Sequence, residues 1–162
     1  MELLPYGEAD AALTVALETD PRVMAHLGGP LSAADAALVH ERRMAGIAAG
    51  DRFFVVVGDD GERAGVVGIW RQPWQGTTVH EIGLMLGPGH QGRGLAARTF
   101  AEVVRLAREE RAFTRLHAFA AVGNAASDAV CRRLGFTRLG EVDLDYAGRA
   151  LRCAHWVVDV AS

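Results

Sequence analysis

The sequence contains no lysine, and all seventeen basic residues among its 162 are arginine. Schiff-base chemistry that depends on a lysine amine is therefore excluded. Twenty acidic residues offset the arginines and leave a formal net charge of −3. Such a balance creates no general field that would attract nucleic acid or an anionic membrane, so we expect neither as a partner.

Cysteine is also scarce, since only Cys131 and Cys153 occur. Cys131 lies in a helical pattern and Cys153 in a strand-like one, so we expect two free, mostly buried thiols, as suits a reducing compartment. No run of about eighteen apolar residues is present, and Met1–Pro5 lack the basic and long apolar regions of a secretory signal. We therefore expect a cytoplasmic protein. The histidines show no metal-ligand spacing, so no metal is expected.

Half of the residues are hydrophobic and 23% are charged, which is the composition of a globular protein large enough for its own core. No repeat or low-complexity linker interrupts the chain, so we expect one domain over residues 1–162. Periodicity and turn residues predict the order strand, two helices, three strands, helix, strand, helix and two strands. The predicted helices cover about 8–19, 32–49, 96–107 and 125–134, and the later strands cover 53–57, 66–70, 79–86, 116–122, 139–146 and 150–160. This order indicates an α/β sandwich around one mixed sheet.

Two local predictions concern the first half of the chain. Ser32 is expected to begin the second helix, with Asp35 three residues on as a weak capping box and Gly50 just beyond its end. The residues predicted on the buried side of this helix are Leu38, Met44, Ile47 and Ala48. Residues 71–78, which include Trp74, are predicted to form a polar loop.

The segment between the third predicted strand and the third helix is a glycine-rich turn. Glycines at 92 and 94 allow the main chain to approach a ligand closely, and the helix that follows offers unpaired N–H groups and a partial positive charge. The turn therefore predicts a phosphate site. The glycine spacing is not that of a dinucleotide-binding motif, and a P-loop would need a lysine.

The wider pattern around the turn reads Leu84-x-Leu86-x-Pro88-x-x-Gln91-x-x-Gly94-x-Ala96, and a second pattern reads Asn124-x-x-Ser127 followed by Leu134-Gly135-Phe136. Together they resemble the coenzyme A signature of the GNAT superfamily of N-acetyltransferases. The segments Asp20–Met24, Glu81–Gly83 and Gln91–Gly94 are similar to the branch that contains the ribosomal-protein N-terminal acetyltransferases. The resemblance implies an α/β (α+β) fold with a mixed, mostly antiparallel sheet of about seven strands and four flanking helices.

The resemblance also implies a set of residues that bind acetyl-CoA. The main chain of Leu84, Met85 and Leu86 would pair with the pantetheine arm, and Asn124 would both cap its helix and bind the same arm. The main-chain N–H groups expected to hold the pyrophosphate belong to Gln91, Gly92, Arg93, Gly94, Leu95 and Ala96. Arginines at 93, 98, 132 and 133 are candidates for the 3′-phosphate.

An acceptor ammonium must lose a proton before its nitrogen can attack, so a base is required. Glu81 occupies the acid position common in the strand before the turn, with His80 and His117 as alternatives. Strict alternation places Glu81 with Gly83 and Met85, although a bulge would reset the faces. The resemblance implies a tyrosine further along this helix as the group that protonates the departing thiolate. Because the helix 125–134 contains no tyrosine, Ser127, which the resemblance also places among the acetyl-CoA-binding residues, or a bound water would take that role.

These expectations combine into direct transfer of an acetyl group from acetyl-CoA to a primary amine, either a protein N-terminus or a small molecule. An antibiotic-modifying enzyme and a non-catalytic acyl-CoA-binding module are the alternatives. Trp70 and Trp74 would line the amine pocket, and Asp143 and Asp145 would attract a cationic acceptor. An unpaired strand at the C-terminal edge of the sheet would allow a homodimer.

Overall fold

A computed structural model describes residues 1–161 of the chain. Within them lie seven strands, which are β1 (Glu2–Pro5), β2 (Arg52–Val57), β3 (Arg63–Trp74), β4 (Thr77–Leu86), β5 (Arg115–Ala121), β6 (Thr137–Tyr146) and β7 (Arg149–Asp159). The four α-helices are α1 (Ala11–Glu18), α2 (Ala33–Ala48), α3 (Leu95–Glu110) and α4 (Ala125–Arg133). The predicted number and order of elements are confirmed.

The strands form one sheet in the order β1-β2-β3-β4-β5-β7-β6. Each neighbouring pair is antiparallel except β4 and β5, which run parallel. These two strands share a single bridge, between Glu81 and His117, and diverge beyond it. The mixed sheet is therefore as predicted, and it contains a gap at the carboxyl ends of its two central strands. The C-terminal edge strand is β6, because β7 inserts between β5 and β6.

The two faces of the sheet carry separate apolar cores. On one face α3 and α4 cover a large cluster that includes Val103, Leu116 and Trp156. On the other face, here called the α1/α2 face, a smaller cluster includes Met24 and Met85. This smaller core involves β2, β3 and the end of β4 but no residue of β5 or β7. The α1/α2 face is therefore less covered on its β5–β7 side.

Helix α2 begins as predicted, because the Ser32 hydroxyl accepts a hydrogen bond of 3.1 Å from the Asp35 N–H. The prediction for its buried side was wrong at Leu38, which is 45% exposed, and at Ala48, which is also exposed, whereas Ala36 is fully buried. Met44 and Ile47 pack against the smaller core as predicted. The periodicity thus predicted the right element but was wrong about burial at Leu38 and Ala48.

The predicted polar loop at residues 71–78 was wrong, because β3 and β4 form a long hairpin that turns at Gln75 and Gly76. Pro73 lies opposite Thr78 in this hairpin. The main-chain groups of Pro73 point away from β4, on a side where β2 has already ended at its Arg52–Ile69 pair. The missing proline N–H therefore costs no ladder hydrogen bond, which is how a proline fits at this edge.

Candidate active site

The edge of β4 beside the gap carries unpaired main-chain groups. The Gly87 N–H donates to the Ala64 carbonyl at 2.7 Å, which identifies these opposed residues as a hydrogen-bonded pair of the β3–β4 ladder. Because such pairs alternate along an antiparallel ladder, the main-chain groups of Met85 point to β3 and those of Leu84 and Leu86 point into the gap. The Leu86 carbonyl accepts a hydrogen bond of 3.0 Å from the Gln91 side chain. The N–H groups of Leu84 and Leu86 and the Leu84 carbonyl are therefore the unpaired main-chain groups that face the gap.

The turn between β4 and α3 lies at the open end of this gap. Gly92 and Gly94 both have φ near 72°, a backbone conformation that favours glycine. Gly94 is the N-cap of α3 and supplies no capping side chain. The first N–H groups of the helix, including those of Leu95 and Ala96, are consequently available to an anion. The residues from Gln91 to Gly94 are exposed.

The arginines near the turn differ in how far they are already engaged. Arg98 donates to Asp59 at 2.7 Å and is therefore committed to an ion pair. Arg132 lies over the Trp156 ring with its guanidinium carbon 5.6 Å from the ring centroid. Arg93 is exposed on the turn itself and borders, with Arg98, a concavity of about 390 Å³ that reaches the β2–β3 turn.

The N-terminus of α4 lies at the same end of the sheet, because α4 follows β5 and β5 is parallel to β4. The Asn124 side chain accepts a hydrogen bond of 3.2 Å from the Ser127 N–H and so caps the helix. Its amide NH₂ remains free to donate to a ligand. Ser127 is half-buried in the first turn. The structure therefore places the predicted residues of β4, the turn and α4 at the same end of the two diverging strands.

Glu81 is buried at the point where β4 and β5 separate, with 9% of its surface exposed. Burial raises the pKa of its carboxyl to about 8, and a hydrogen bond from the Trp70 side chain opposes part of that rise. The β3–β4 register shows no bulge, so Glu81, Gly83 and Met85 share the α1/α2 face, as strict alternation predicts. A carboxyl with this pKa can gain and lose a proton near neutral pH.

An aromatic platform lies beside Glu81 on the same face. The Trp70 ring lies over Gly83, where an added Cβ would be 2.4 Å from the ring, and it stacks on Phe53 with centroids 5.6 Å apart. Trp74 reaches further along the face, to Phe119 at 5.1 Å and His155 at 5.4 Å between ring centroids. The absent side chain at Gly83 is thus what leaves room for the edge of the Trp70 ring.

Gly83→Ala is expected to destabilise the fold by about 1–3 kcal/mol, because the new methyl group must displace the Trp70 ring or the strand. Thermal unfolding of the variant and the wild type measures this cost. Gly89→Ala is a matched control, since a Cβ there meets no atom within 4 Å. An unchanged midpoint in Gly83→Ala would contradict the packing described.

The alternative bases are less well placed than Glu81. His80 belongs to the opposite face of β4, and its ring packs edge-on against Phe113 at 4.9 Å. His117 shares the α1/α2 face with Glu81, but its Nδ1 lies 2.8 Å from Nε2 of His155. Burial and the proximity of His155 lower the pKa of His117. His117 is thus a weaker proton acceptor than a free imidazole.

A buried polar cluster beside this face was not predicted from the sequence. The Tyr146 hydroxyl hydrogen-bonds both carboxylate oxygens of Glu18 at 2.8 Å, and Arg43 donates to Glu18 at 3.2 Å. Burial and the nearby Glu18 and Glu81 carboxylates raise the pKa of Tyr146. Glu18 and Tyr146 are 128 residues apart in sequence, so local patterns carry no signal of the pair.

Asp143 and Asp145 lie on the opposite face of β6 from Tyr146, because alternate residues of a strand point to opposite faces. Asp143 pairs with Arg152 at 3.2 Å, and Asp145 accepts the Gly148 N–H at 3.1 Å. The structure therefore directs both carboxylates away from Glu81. They do not contribute the charge expected for the acceptor side.

The open strand edge, the turn with its unpaired N–H groups and the buried carboxyl therefore lie together at the gap between β4 and β5. A family model described as "Acetyltransferase (GNAT) domain" matches residues 1–137. The chain therefore belongs to the GNAT acetyltransferase family, as the sequence motifs indicated.

Relatives and solved structures agree with this assignment. Streptothricin acetyltransferase of Streptomyces lavendulae is 33% identical over 110 residues, which are 66% of this chain and 56% of that protein. The match thus spans little more than half of that relative's length. Spermidine N-acetyltransferase of Vibrio cholerae, solved with CoA and spermine, superposes with a TM-score of 0.77 at 16% identity, over 98% of this chain and 94% of that one.

A ribosomal-protein-alanine N-acetyltransferase of Brucella melitensis has a TM-score of 0.76 at 23% identity, covering 98% of this chain and 99% of that chain. At these identities, the two structures show a shared fold.

Among residues 1–161, no cluster of three or more potential metal ligands occurs. No helix within that range has the length and apolar character needed to cross a membrane.

Proposed function

We propose that the chain transfers an acetyl group from acetyl-CoA directly to a primary amine within one ternary complex. The observation that carries this proposal is the juxtaposition of the unpaired β4 edge with Glu81 at the base of the same gap. A thioester arm laid along that edge would bring its carbonyl close to the one buried carboxyl able to accept the amine proton. Positioning the two reactants would supply much of the rate, because a thioester is already reactive.

The donor is held by main-chain groups in this proposal. Leu84 and Leu86 pair with the pantetheine arm through the groups that face the gap, while Met85 contributes its side chain to the α1/α2 face. The N–H groups from Gln91 to Ala96 bind the pyrophosphate at the start of α3. Asn124 donates its free amide NH₂ to the same arm. Arg93, which is exposed on the turn, is the arginine best placed for a further phosphate contact.

The transfer follows from these positions. Glu81 takes a proton from the bound ammonium or through a water, and the amine nitrogen then attacks the thioester carbonyl. The main-chain N–H of Leu86 stabilises the oxyanion. The C–S bond breaks as the carbonyl re-forms, and Ser127 or a water protonates the thiolate. Because burial raises the pKa of Cys131 to about 12, this thiol is unsuited to relay the acetyl group.

A second candidate is the modification of an antibiotic amine, and the streptothricin acetyltransferase similarity favours it. This candidate uses the same donor site and the same base and differs only in the acceptor. Acetylation of a protein N-terminus, the remaining candidate, would also use that machinery. The acceptor side of the site therefore decides among them.

Isothermal titration of the chain with acetyl-CoA tests the donor site. We expect stoichiometric binding that weakens as salt rises, because the pyrophosphate contributes charge. Absence of binding would contradict the proposal before any acceptor is considered.

Ser127→Ala is expected to lower kcat by about tenfold near pH 7 and by less at pH 9, where the thiolate leaves without a proton. The KM for acetyl-CoA should change little, because the Asn124 cap uses the main-chain N–H of residue 127. Thiol release with a saturating amine measures both quantities. An unchanged kcat at both pH values would show that a water protonates the thiolate instead.

A further inference from the structure

The α1/α2 face presents one carboxylate without a cationic partner. Along β3 to β7 in residues 1–161, the acidic side chains on or against this face are Glu81, Glu18 and Asp159. Glu18 pairs with Arg43 at 3.2 Å, and Asp159 pairs with Arg115 at 2.6 Å. Asp10, at the start of α1, pairs with Arg63 of β3. Among residues 1–161, Glu81 is therefore the one carboxyl on this face without a cationic partner that an acceptor ammonium could meet. A second ammonium on the acceptor would be desolvated here with no carboxylate to receive it, which is unfavourable.

The rest of the face near Glu81 is lined by aromatic and imidazole rings rather than by charge. Trp70 lies beside the carboxyl over Gly83, and Phe119 stacks on His155 with ring centroids 4.6 Å apart. Burial lowers the pKa of His155, which favours its neutral form. Flat, uncharged rings of this kind favour a planar or apolar body on the acceptor.

Two hairpin tips limit the length of an acceptor on this face. The β6–β7 tip is fixed to α1 by Tyr146 on Glu18 and to the α1–α2 connection by Arg149, which donates to the carbonyl oxygens of Gly29 and, at 3.0 Å, Pro30. We call these contacts of Tyr146 and Arg149 the latch. Arg149 packs so closely that a Cβ on Gly28 would lie 2.7 Å from its Cδ.

The β3–β4 tip folds over the same face from the other side, through the contacts of Trp74 with Phe119 and His155. A peptide whose N-terminus reached Glu81 would have to leave between these two tips. The latch joins the β6–β7 tip to the helical layer across that exit. The two tips thus favour a compact molecule over an extended chain at Glu81.

From the lone carboxylate, the rings and the latch, we infer that the acceptor is a compact, singly charged amine with a planar or apolar body. This inference rests on the proposed acetyl transfer and deepens it by naming the acceptor class. Glu81 binds and deprotonates the one ammonium group, the rings contact the body, and the latch excludes extended acceptors. Tyr146 and Arg149 act here as positioning residues.

Three matched acceptors test the inference with the wild-type chain and acetyl-CoA. The probes are 2-phenylethylamine, its para-aminomethyl derivative, which adds a second ammonium on one methylene group, and a tripeptide amide beginning with phenylalanine, which extends the molecule next to the amine. We expect kcat/KM for 2-phenylethylamine to exceed each of the others by at least about tenfold. Streptothricin and spermidine serve as polycationic references and should also be slower. A faster diamine, tripeptide, streptothricin or spermidine would overturn the inference.

Variants of the latch test how the length of the acceptor affects the rate, independently of the acceptor's charge. Tyr146→Phe and Arg149→Ala should raise kcat/KM for the tripeptide relative to 2-phenylethylamine by about tenfold and leave the KM for acetyl-CoA unchanged. Arg152→Ala is the matched control, because Arg152 lies on the opposite face of the same hairpin and pairs with Asp143. Unchanged selectivity in folded latch variants would overturn the role of the latch.

Each outcome has a distinct meaning. If a latch variant fails to fold in thermal unfolding, the wild-type ratios among the three probes still decide the acceptor class. A wild-type chain that acetylates no amine contradicts the proposed function, and the inference falls with it. A chain that transfers acetyl groups but prefers diamines or peptides contradicts the inference alone.

Discussion

Glu81→Gln is expected to lower kcat/KM for the acceptor amine by about 10²- to 10³-fold, because the variant cannot accept the proton that the ammonium must lose. Glutamine preserves the shape of the side chain and its contact with the Trp70 side chain, so the KM for acetyl-CoA should stay within about threefold. Steady-state thiol release with varied amine measures the loss. Glu41→Gln, on the exposed side of α2, is a matched control that should keep the wild-type rate.

The pH dependence of kcat/KM is a second measurement that tests the same substitution. Since burial raises the pKa of Glu81 to about 8, the wild-type kcat/KM should rise with pH and level off above about 8. An acceptor whose own pKa is about 10 stays an ammonium through this range, which keeps its titration apart from that of the enzyme. In Glu81→Gln, the rise of kcat/KM that levels off near pH 8 should be absent. A variant that retains both the rate and the limb would show that another group is the base.

The stability of the Glu81→Gln variant should rise, in contrast to its activity, which should fall. The folded pKa of about 8 lies above the ordinary value of 4.5, so the folded state holds a proton that the unfolded chain releases between those values. Stability therefore falls as pH rises through this window, and the cost is fully present above pH 8. Glu81→Gln removes the cost and should stabilise the fold at pH 8 by on the order of 3 kcal/mol, with little change near pH 4. Loss of activity with gain of stability is the signature of a residue kept for function.

Gly94→Asp is expected to weaken acetyl-CoA binding by at least about 100-fold, because it places a carboxylate where the pyrophosphate charge would lie. Gly94 has φ of 72°, a conformation that asparagine and aspartate tolerate better than other side chains. Gly94→Asn is thus a control of the same shape without the charge, and it should lose less than about tenfold. Isothermal titration at two salt concentrations measures both variants.

The difference between the two Gly94 variants isolates electrostatics from shape. It should shrink as salt rises, because the repulsion acts at an exposed turn and is screened. Equal affinities for Gly94→Asp and Gly94→Asn at low salt would mean that the pyrophosphate does not bind at this turn. The donor site would then have to lie elsewhere on the chain.

The parts of the site that the sequence predicted are those built from local chain segments. Gly92, Gly94 and the helix that follows are contiguous, so their pattern specifies both the conformation and the exposed N–H groups. Asn124 and Ser127 are also close in sequence and form the predicted cap. Glu81 was found through its position in the strand before the turn, and its alternation with Gly83 and Met85 is confirmed because no bulge occurs.

The parts that were missed depend on contacts between distant segments. Tyr146 meets Glu18 only because the β6–β7 hairpin folds onto α1, and no spacing in the sequence encodes that contact. Trp74 was predicted in a loop, because Pro73 and its polar neighbours resemble a turn until their pairing with β4 is known. Leu38 and Ala48 were predicted as buried from the helical periodicity, although both are exposed and α2 faces the core through Ala36.

The most direct test of the central claim is the mass of the product formed from acetyl-CoA carrying an isotopically labelled acetyl group. With 2-phenylethylamine and the wild-type chain at pH 8, we predict a labelled N-acetyl amide in an amount equal to the thiol released. Glu81→Gln should reduce both together. Thiol release without a labelled amide, or with the label on the protein and none on the amine, would contradict direct transfer to an amine.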